Sequence, residues 1–230
     1  MLVPRADRGK VGQSRTIAAM SPLAGPEVVI AIVPVGTLEG AKSRLGAVLD
    51  AEERHDLAAS LARRTIAAAV AASTIHEVLV VTPDDEVRAM AMALGARPLR
   101  QRTSGLNHGL REARAEATAA GATAIVILPV DLPRITPDAI DAVVAPLATS
   151  GRPLVVIVAD RHGRGTNALV IAPPDAIDVR FGGDSRAAHA AAALDAGALL
   201  VELAGPLRLD LDTPDDLVLA ETFAQEVARG

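Results

Sequence analysis

Glycines and positively charged residues gather in the loop that follows the first strongly apolar segment of the chain. That segment, 28–35, reads VVIAIVPV, and the loop after it contains Gly36, Gly40, Lys42 and Arg44. Glycine lets the backbone approach a ligand closely, and a polyphosphate is bound by backbone N–H groups together with mobile cations. We therefore predict that this loop binds the phosphates of a nucleotide. The alternative is a connecting loop with charged residues at the surface.

The same loop comes close to a P-loop, the pattern G-x-x-x-x-G-K-[ST] that leads into a helix at its lysine. Gly36 and Lys42-Ser43 match the pattern, but Ala41 stands where its second glycine belongs. Asp50 predicts that the loop continues and that the helix begins near Ala51. Both features favour a different kind of phosphate-binding loop. A P-loop-like nucleotide-binding module without transferase activity stays as an alternative.

Aspartates that follow later apolar segments are candidate ligands of Mg²⁺. Asp131 emerges between two prolines after the segment 124–128, which reads AIVIL. Asp210 lies on a predicted short strand, 207–211, and Asp212 directly follows it. Because the two are two residues apart, they would share one face of the strand. Mg²⁺ takes oxygen ligands and usually only one or two protein carboxylates. We predict that Asp131 binds Mg²⁺ together with one or both of the other acids; a turn-capping aspartate and a solvent-facing strand are the alternatives.

A candidate anion site lies at the start of an alanine-rich helix. Gly182 and Ser185 open this helix, which also contains His189. Free backbone N–H groups, the helix dipole and a hydroxyl together suit a phosphate or a carboxylate. A glycine turn followed by an ordinary helix cap is the alternative. Two further positions are weaker candidates for ligand binding. The segment 163–167 precedes a strand, and Asn107 is an ordinary helix cap by residue type.

Apolar and amphipathic segments alternate from Glu27 onward, which predicts an α/β fold with a mostly parallel sheet flanked by helices in a single domain. Ligands of such sheets bind at the carboxyl ends of the strands, where the candidate residues lie. Three helices begin with Thr-Pro-Asp, at 82–84, 136–138 and 213–215, with Thr predicted as the cap. We interpret the two acids after the last Thr-Pro as helix-start residues only. The predicted strands are 28–35, 77–81, 124–128, 154–158, 168–171, 198–203 and 207–211, and the predicted helices are 51–73, 84–94, 106–120, 137–148, 185–196 and 214–227.

The composition of the chain limits its function classes. The chain has 230 residues, of which 50% are hydrophobic, and a formal net charge of -5, which argues against binding nucleic acid. The sequence has no Cys, which excludes disulfides and zinc–thiolate sites and favours a cytoplasmic protein. It also has no Trp or Tyr for stacking bases, and no apolar run long enough to span a membrane. We interpret residues 1–26 as a disordered N-terminal extension or a misplaced start, with 27–230 as the domain.

Taken together, the motifs resemble the 2-phospho-L-lactate / phosphoenolpyruvate guanylyltransferase family of coenzyme F(420) biosynthesis. The resemblance runs from about residue 28 to residue 219, in the family's order. This family often has a lysine where the chain has Gly36, so Lys42 and Arg44 would carry more of the charge neutralisation. The matching segments are AKSRL at 41–45, LN at 106–107, PVDLP at 129–133, GTNAL at 165–169, FGGDS at 181–185 with His189, and DLDTPDDL at 210–217.

The resemblance implies a Rossmann-like nucleotidyltransferase fold, Mg²⁺ as cofactor, and GTP and a small phosphorylated acid as substrates. GMP would pass to phosphoenolpyruvate, the usual acceptor of bacterial members, or to 2-phospho-L-lactate, with release of pyrophosphate. The resemblance also implies that Thr166, Gly182 and Ser185 bind the acceptor. We expect Asn107 to contact the nucleotide.

Catalysis would rest on positioning and charge, because the acceptor phosphate is already an anion and requires no strong base. Lys42, Arg44 and Asp131 are therefore the predicted catalytic residues. Another small nucleotidyltransferase, acting on molybdopterin or a sugar phosphate, is the alternative enzyme. The sequence leaves open the acceptor, the base selectivity, the choice between Asp210 and Asp212 as metal ligand, and whether the protein is a homo-oligomer.

Overall fold

The computed structural model describes residues 27–227, and side chains as far as residue 220. The predicted extension 1–26 lies outside the described residues. The strands are β1 Val29–Pro34, β2 Glu77–Thr82, β3 Arg97–Arg100, β4 Ala124–Ile127, β5 Leu154–Ala159, β6 Thr166–Ala172 and β7 Leu199–Leu203. The helices are α1 Ala51–Ala71, α2 Asp85–Ala93, α3 Leu106–Ala119, α4 Pro137–Val144, α5 Ser185–Asp195 and α6 Pro214–Val227, with short 3-10 turns at Ser43–Leu45, Ala145–Ala148 and Pro206–Arg208.

The strands form one 7-stranded sheet in the order β3-β2-β1-β4-β6-β5-β7. Neighbouring strands are parallel except at β6, which runs antiparallel to both β4 and β5. The predicted α/β fold with a mostly parallel sheet is therefore confirmed. Because β6 runs the other way, its first residue, Thr166, lies at the edge of the sheet where β4 and β5 end.

The two faces of the sheet are covered by different helices. Alternate residues of a strand point to opposite faces. In β1, Ala31 and Val33 pack in the core formed with α1, α2 and α4, whereas Ile30 and Ile32 pack in the core formed with α3 and α5. This burial on both faces explains why β1 reads as a continuous apolar run. None of the helices within residues 27–227 is long and apolar enough to cross a membrane.

Threonine caps the helix as predicted at two of the three Thr-Pro-Asp segments. The capping role given to Asn107 is wrong, because Asn107 lies inside α3 and the N-cap is Gly105. The side chain of Thr136 caps α4, as predicted. At 82–84, however, the predicted cap is wrong: Thr82 is the last residue of β2, and Asp84 caps α2 instead. The second carboxylate oxygen of Asp84 accepts a hydrogen bond from the Leu38 N–H at 2.9 Å. Asp84 thereby ties the loop after β1 to the start of α2.

The segment 207–211, which was expected to be a strand, is not one. It begins in the 3-10 turn Pro206–Arg208 and continues as irregular chain. Its alternating leucines are buried, as in a strand, but its backbone bonds to a side chain of β6 and to the loop after β4 rather than to a neighbouring strand. Asp210 and Asp212 therefore lie on an irregular segment, not on one face of a strand.

Candidate active site

Three segments that are distant in sequence meet at the edge of the sheet where β1 and β4 end. The Nζ of Lys42 donates to the carbonyl oxygen of Leu211 at 2.6 Å and lies 3.1 Å from Oδ1 of Asp212. A guanidinium nitrogen of Arg44 lies 3.5 Å from the other oxygen of Asp212. The Leu211 N–H donates to the carbonyl oxygen of Asp131 at 2.8 Å. The structure thus brings both predicted cations together with the predicted aspartates.

The loop after β1 holds Lys42 in an unusual backbone conformation. Lys42 has φ 51° and is the one non-glycine residue with positive φ in the part of the chain that the structure describes. This left-handed conformation costs roughly 1–2 kcal/mol in a residue with a Cβ. The side chain of Lys42 is 12% exposed, whereas that of Arg44 is 74% exposed. Lys42 is therefore held against Asp212, whereas the Arg44 side chain is exposed to solvent and can contact a bound ligand.

The surroundings of Asp131 and Asp210 disfavour the charged form of each carboxyl group. Burial raises the pKa of Asp131 to about 6, with Lys42 opposing the rise and Asp212 and Asp210 adding to it. Burial likewise raises the pKa of Asp210, and Asp212 adds to that rise. A further cation at this position would relieve the repulsion between these carboxylates.

The donor set fits Mg²⁺ in its chemistry. Among the side chains described, Oδ1 of Asp210 is a buried oxygen without a hydrogen-bond partner, as expected of an atom kept for a metal. Among the described side chains, those of residues 27–220, however, no three acidic or histidine side chains are grouped closely enough to form a metal cluster. An ion would therefore have to draw the carboxylates of Asp131, Asp210 and Asp212 closer together.

Asp216 has a larger role than the helix-start role that the sequence predicts. One of its carboxylate oxygens accepts from the backbone N–H groups of Asp212 and Thr213, at 3.1 and 2.8 Å, and from the Thr213 hydroxyl at 2.8 Å. Its other oxygen lies 2.5 Å from a guanidinium nitrogen of Arg161. Burial alone would raise the pKa of Asp216, but these hydrogen bonds and Arg161 hold it below its usual value. Asp216 therefore fixes the backbone that carries Asp212.

A cavity of about 520 Å³ opens where β1 and β2 end, and Lys42 and the aspartates are not among its lining residues. Gly36 and its neighbours in the loop after β1 line one side, and residues 101–106 line the other, whereas Gly40 is not among the lining residues. The carboxylate of Glu112 in α3 holds the second wall by accepting from the backbone N–H groups of Arg102 and Thr103 at 2.9 and 3.0 Å. The volume is within the range of small-ligand sites. Sequence reasoning missed this wall, since a polar loop carries no motif.

The predicted acceptor residues lie around the corner between β6 and α5. Thr166 and Ser185 are 5% and 2% exposed, and Ser185 is the first residue of α5. The Ser185 N–H donates to the carbonyl oxygen of Gly182 at 3.2 Å, and Gly182 has φ 150°, a conformation that favours glycine. The hydroxyl of Thr166 lies 3.1 Å from Nδ1 of His189. The three residues therefore belong to one corner of the fold.

Asn107 lies on the acceptor side of the site. Its side-chain amide donates to the carbonyl oxygen of Phe181 at 2.9 Å, and its oxygen accepts from the Phe181 N–H at 2.8 Å. Both polar atoms thus hold the chain next to Gly182. The predicted contact of Asn107 with a nucleotide stays a prediction.

Two polar residues beside Thr166 also shape the site, and sequence reasoning missed both roles. The amide of Asn167 donates to the carbonyl oxygen of Leu207 at 2.9 Å, and a hydrogen bond from Asn167 opposes the rise in the pKa of Asp210. The carboxylate of Asp160 accepts from the Gly165 N–H at 2.8 Å and so closes the turn before β6. The only sequence signal was the Gly-Thr-Asn motif, which marks the segment without identifying its partners.

The geometry of the loop after β1 differs from that of a P-loop. A P-loop leads directly into a helix at its Lys-Ser pair. Here the short turn Ser43–Leu45 follows Lys42, and α1 begins only at Ala51, with Asp50 and Glu53 forming its capping box. The predicted helix start near Ala51 is confirmed, and the P-loop alternative has no support in the backbone.

Comparison with known proteins confirms the family resemblance found in the sequence. A family model described as "Guanylyl transferase CofC like" matches residues 29–223. The phosphoenolpyruvate guanylyltransferase of Sphaerobacter thermophilus is 46% identical over 189 residues, covering 82% of this chain and 90% of its own. That of Rubrobacter xylanophilus is 44% identical over 194 residues, covering 84% and 93%.

Solved structures share the fold at low sequence identity. A putative nucleotide-diphospho-sugar transferase from Desulfovibrio desulfuricans superposes with a TM-score of 0.64 at 19% identity, covering 85% of this chain and 87% of its own. A nucleotidyl transferase from Methanothermobacter gives 0.63 at 17% identity, covering 88% and 100%. These likenesses confirm the predicted nucleotidyltransferase fold. The family model and the sequence relatives go further, and with the geometry of the site they show that the chain belongs to the CofC-like guanylyl transferase family.

Proposed function

We propose that the protein transfers GMP from GTP to phosphoenolpyruvate, with release of pyrophosphate, in coenzyme F(420) biosynthesis. One observation carries the proposal: Lys42 contacts Asp212, and its charge acts on Asp131, at the sheet edge that also holds a cavity of suitable size. The sequence relatives of the chain are named phosphoenolpyruvate guanylyltransferases. Cations and carboxylates at the carboxyl end of a sheet are the groups that nucleotidyl transfer requires.

The donor nucleotide would lie between the loop after β1 and residues 101–106. The cavity between these segments is large enough for a base and its ribose, and Gly36 leaves open space at its wall. The triphosphate would then extend towards Lys42 and Arg44. The Arg44 side chain is more exposed than that of Lys42, so it is better placed to stabilise the charge of the pyrophosphate as it leaves.

Mg²⁺ would be held by Asp131 with Asp210, Asp212 or both. This proposal is supported by the partnerless buried oxygen of Asp210 and by the raised pKa values of Asp131 and Asp210. When bound, the ion would neutralise negative charge on the triphosphate. Lys42 would keep Asp212 oriented towards the site through the contact already present at 3.1 Å.

The acceptor would bind at the corner between β6 and α5, with Thr166, Gly182 and Ser185 holding its anionic groups. An oxygen of the acceptor phosphate attacks the α-phosphorus of GTP in line, a new P–O bond forms, and the bond to the β-phosphate oxygen breaks. Because this oxygen is already charged at neutral pH, no side chain has to remove a proton. The residues of the chain therefore act by orientation and by charge.

A panel of substrates tests the proposed function. Purified protein with Mg²⁺ would be given each nucleoside triphosphate together with phosphoenolpyruvate, 2-phospho-L-lactate or a sugar phosphate, and pyrophosphate release would be measured. We expect GTP with phosphoenolpyruvate to give the highest kcat/KM, with weaker use of 2-phospho-L-lactate. If neither phospho-acid supported release while a sugar phosphate did, the protein would be a different nucleotidyltransferase.

The acceptor pocket is tested by two substitutions. Thr166→Ala and Ser185→Ala should raise the KM for phosphoenolpyruvate more than the KM for GTP, since each removes a hydroxyl from the corner between β6 and α5. Thr149→Ala, at an exposed position after α4, is the matched control. Effects on GTP alone would show that these residues belong to the donor site.

A further inference from the structure

His189 is a buried polar residue that the proposed reaction does not use. It lies in α5 with no exposed surface, and both of its ring nitrogens have partners. Nε2 lies 2.9 Å from the backbone nitrogen of Arg180, and Nδ1 lies 3.1 Å from the hydroxyl oxygen of Thr166. The imidazole therefore bridges the loop before α5 and the first residue of β6.

The partners of the ring determine its tautomer. The backbone N–H of Arg180 can only donate, so Nε2 must accept and the ring proton resides on Nδ1. Nδ1–H then donates to the Thr166 hydroxyl oxygen. Burial lowers the pKa of His189 to about 4, and Arg180 adds to this effect, so the ring is neutral at physiological pH.

The hydrogen bond from His189 fixes the orientation of the Thr166 hydroxyl group. Because its oxygen already accepts from His189, its own hydrogen is turned towards another acceptor. A phosphate or carboxylate oxygen offers only lone pairs and matches such a one-way donor.

We propose that His189 is a positioning residue that fixes the Thr166 hydroxyl as a hydrogen-bond donor to the anionic group of the acceptor. The inference rests on the proposed function, because it takes Thr166 to line the acceptor pocket. His189 does not touch the acceptor and acts through Thr166. By holding the Arg180 N–H it also fixes the chain that leads to Gly182, so two sides of the pocket depend on one ring.

The surroundings hold the ring in a fixed orientation. The Phe181 ring meets the His189 ring edge to face, with centroids 5.0 Å apart and an angle of 68° between the planes. Phe181 is itself held by the two hydrogen bonds between its backbone and the Asn107 amide, at 2.9 and 2.8 Å. A ring packed in this way cannot rotate to exchange its two partners without moving the loop.

Two amide substitutions separate the hydrogen bonds of the ring. The amide of glutamine reaches the position of Nε2, and the amide of asparagine reaches that of Nδ1. His189→Gln should keep the Arg180 contact and lose the donor to Thr166, raising the KM for phosphoenolpyruvate about tenfold with the KM for GTP within about twofold. His189→Asn should keep the donor and show a smaller rise, although it loses the Arg180 contact.

A double-mutant cycle shows whether His189 acts through Thr166. If it does, adding His189→Gln to Thr166→Ala should raise the KM for phosphoenolpyruvate no further than Thr166→Ala alone. Fully additive effects would overturn the inference while leaving the proposed function intact. No effect of Thr166→Ala on the acceptor KM would instead show that the pocket is misassigned, and the role of His189 would fall with it.

A measurement on the unaltered protein keeps the inference testable if the variants fold poorly. In protein labelled with ¹⁵N-histidine, NMR should show His189 as the neutral tautomer with its proton on Nδ1, both free and with phosphoenolpyruvate bound. A ring protonated on Nε2 could not donate to Thr166 and would contradict the proposal.

Discussion

Replacing Lys42 by asparagine tests the donor half of the site most directly. Asparagine removes the charge and tolerates the left-handed backbone that Lys42 adopts, so the loop is not strained further. Its side chain is too short to maintain the contacts that Nζ makes with Leu211 and Asp212 at 2.6 and 3.1 Å. The change therefore removes the ammonium group while the backbone keeps its conformation.

The size of the effect follows from the hydrogen bonds of the ammonium group. An ammonium has three N–H donors. In the structure Leu211 and Asp212 take two of them, which leaves one for a phosphate oxygen. One charge-assisted bond contributes about 1.5–3 kcal/mol, so kcat/KM for GTP should fall roughly 10- to 150-fold.

Pyrophosphate release with GTP varied at saturating phosphoenolpyruvate measures this effect. Arg88→Gln is the matched control, since it removes one positive charge from an exposed ion pair with Asp85 on α2. It should leave kcat/KM for GTP unchanged. The reasoning would be refuted if Lys42→Asn lowered Tm while its kcat/KM for GTP stayed within about twofold of the wild-type value, because Lys42 would then only hold the fold together.

Four further outcomes are expected. Asp131→Asn should lower kcat by about a hundredfold or more without lowering Tm, because it removes a charge that burial already disfavours, as its raised pKa of about 6 shows. At least one of the variants Asp210→Asn and Asp212→Asn should need a much higher Mg²⁺ concentration for half-maximal turnover than the wild type. Asp216→Asn should destabilise the fold by about 1–3 kcal/mol in denaturant unfolding and weaken turnover as well, since it loosens the backbone of Asp212. As pH drops from about 6.5 towards 4, the wild type should lose folding stability relative to His189→Gln, because His189 is kept neutral in the fold with a pKa of about 4 against 6.5 when unfolded. Asp131, whose pKa is raised to about 6, acts in the opposite direction over this range but is common to both proteins. A stability difference between the two proteins that does not change with pH would exclude this role of His189.

The buried strands could be predicted from the sequence, whereas the edge of the sheet could not. Strands such as β1 and β4 are covered on both faces, so their apolar runs are continuous. Among the described strands β3 pairs only with β2, and its four residues, Arg97–Arg100, are exposed at both ends and include a proline. Such a segment has neither an apolar run nor alternation, and only its pairing with β2 makes it a strand.

The segment 207–211 was misjudged because burial and strand pairing leave the same pattern. Leu207, Leu209 and Leu211 are 1%, 8% and 2% exposed, which produces the alternation of a half-buried strand. The partners of this backbone include the Asn167 amide, the Lys42 ammonium and the carbonyl oxygen of Asp131, and local periodicity carries no information about any of them.

The charged residues of the site could be predicted by type and position, but their supports could not. Lys42, Asp131 and Asp212 follow strands or precede a helix, where ligands of such folds bind. The roles of Asp84 and Asp216 depend on backbone N–H groups whose positions are known only once the chain has folded. By sequence alone, each is an acid at the start of a helix.

The contact between Lys42 and Leu211 closes a loop of 169 residues. Contacts between such distant positions form late, because the chain must lose the entropy of the intervening segment before the contact stabilises it. Lys42 therefore reaches the carboxylate of Asp212 only when the C-terminal segment has docked. During refolding from denaturant, we expect helical circular dichroism to recover first and enzymatic turnover last, so that activity reports on completion of the fold.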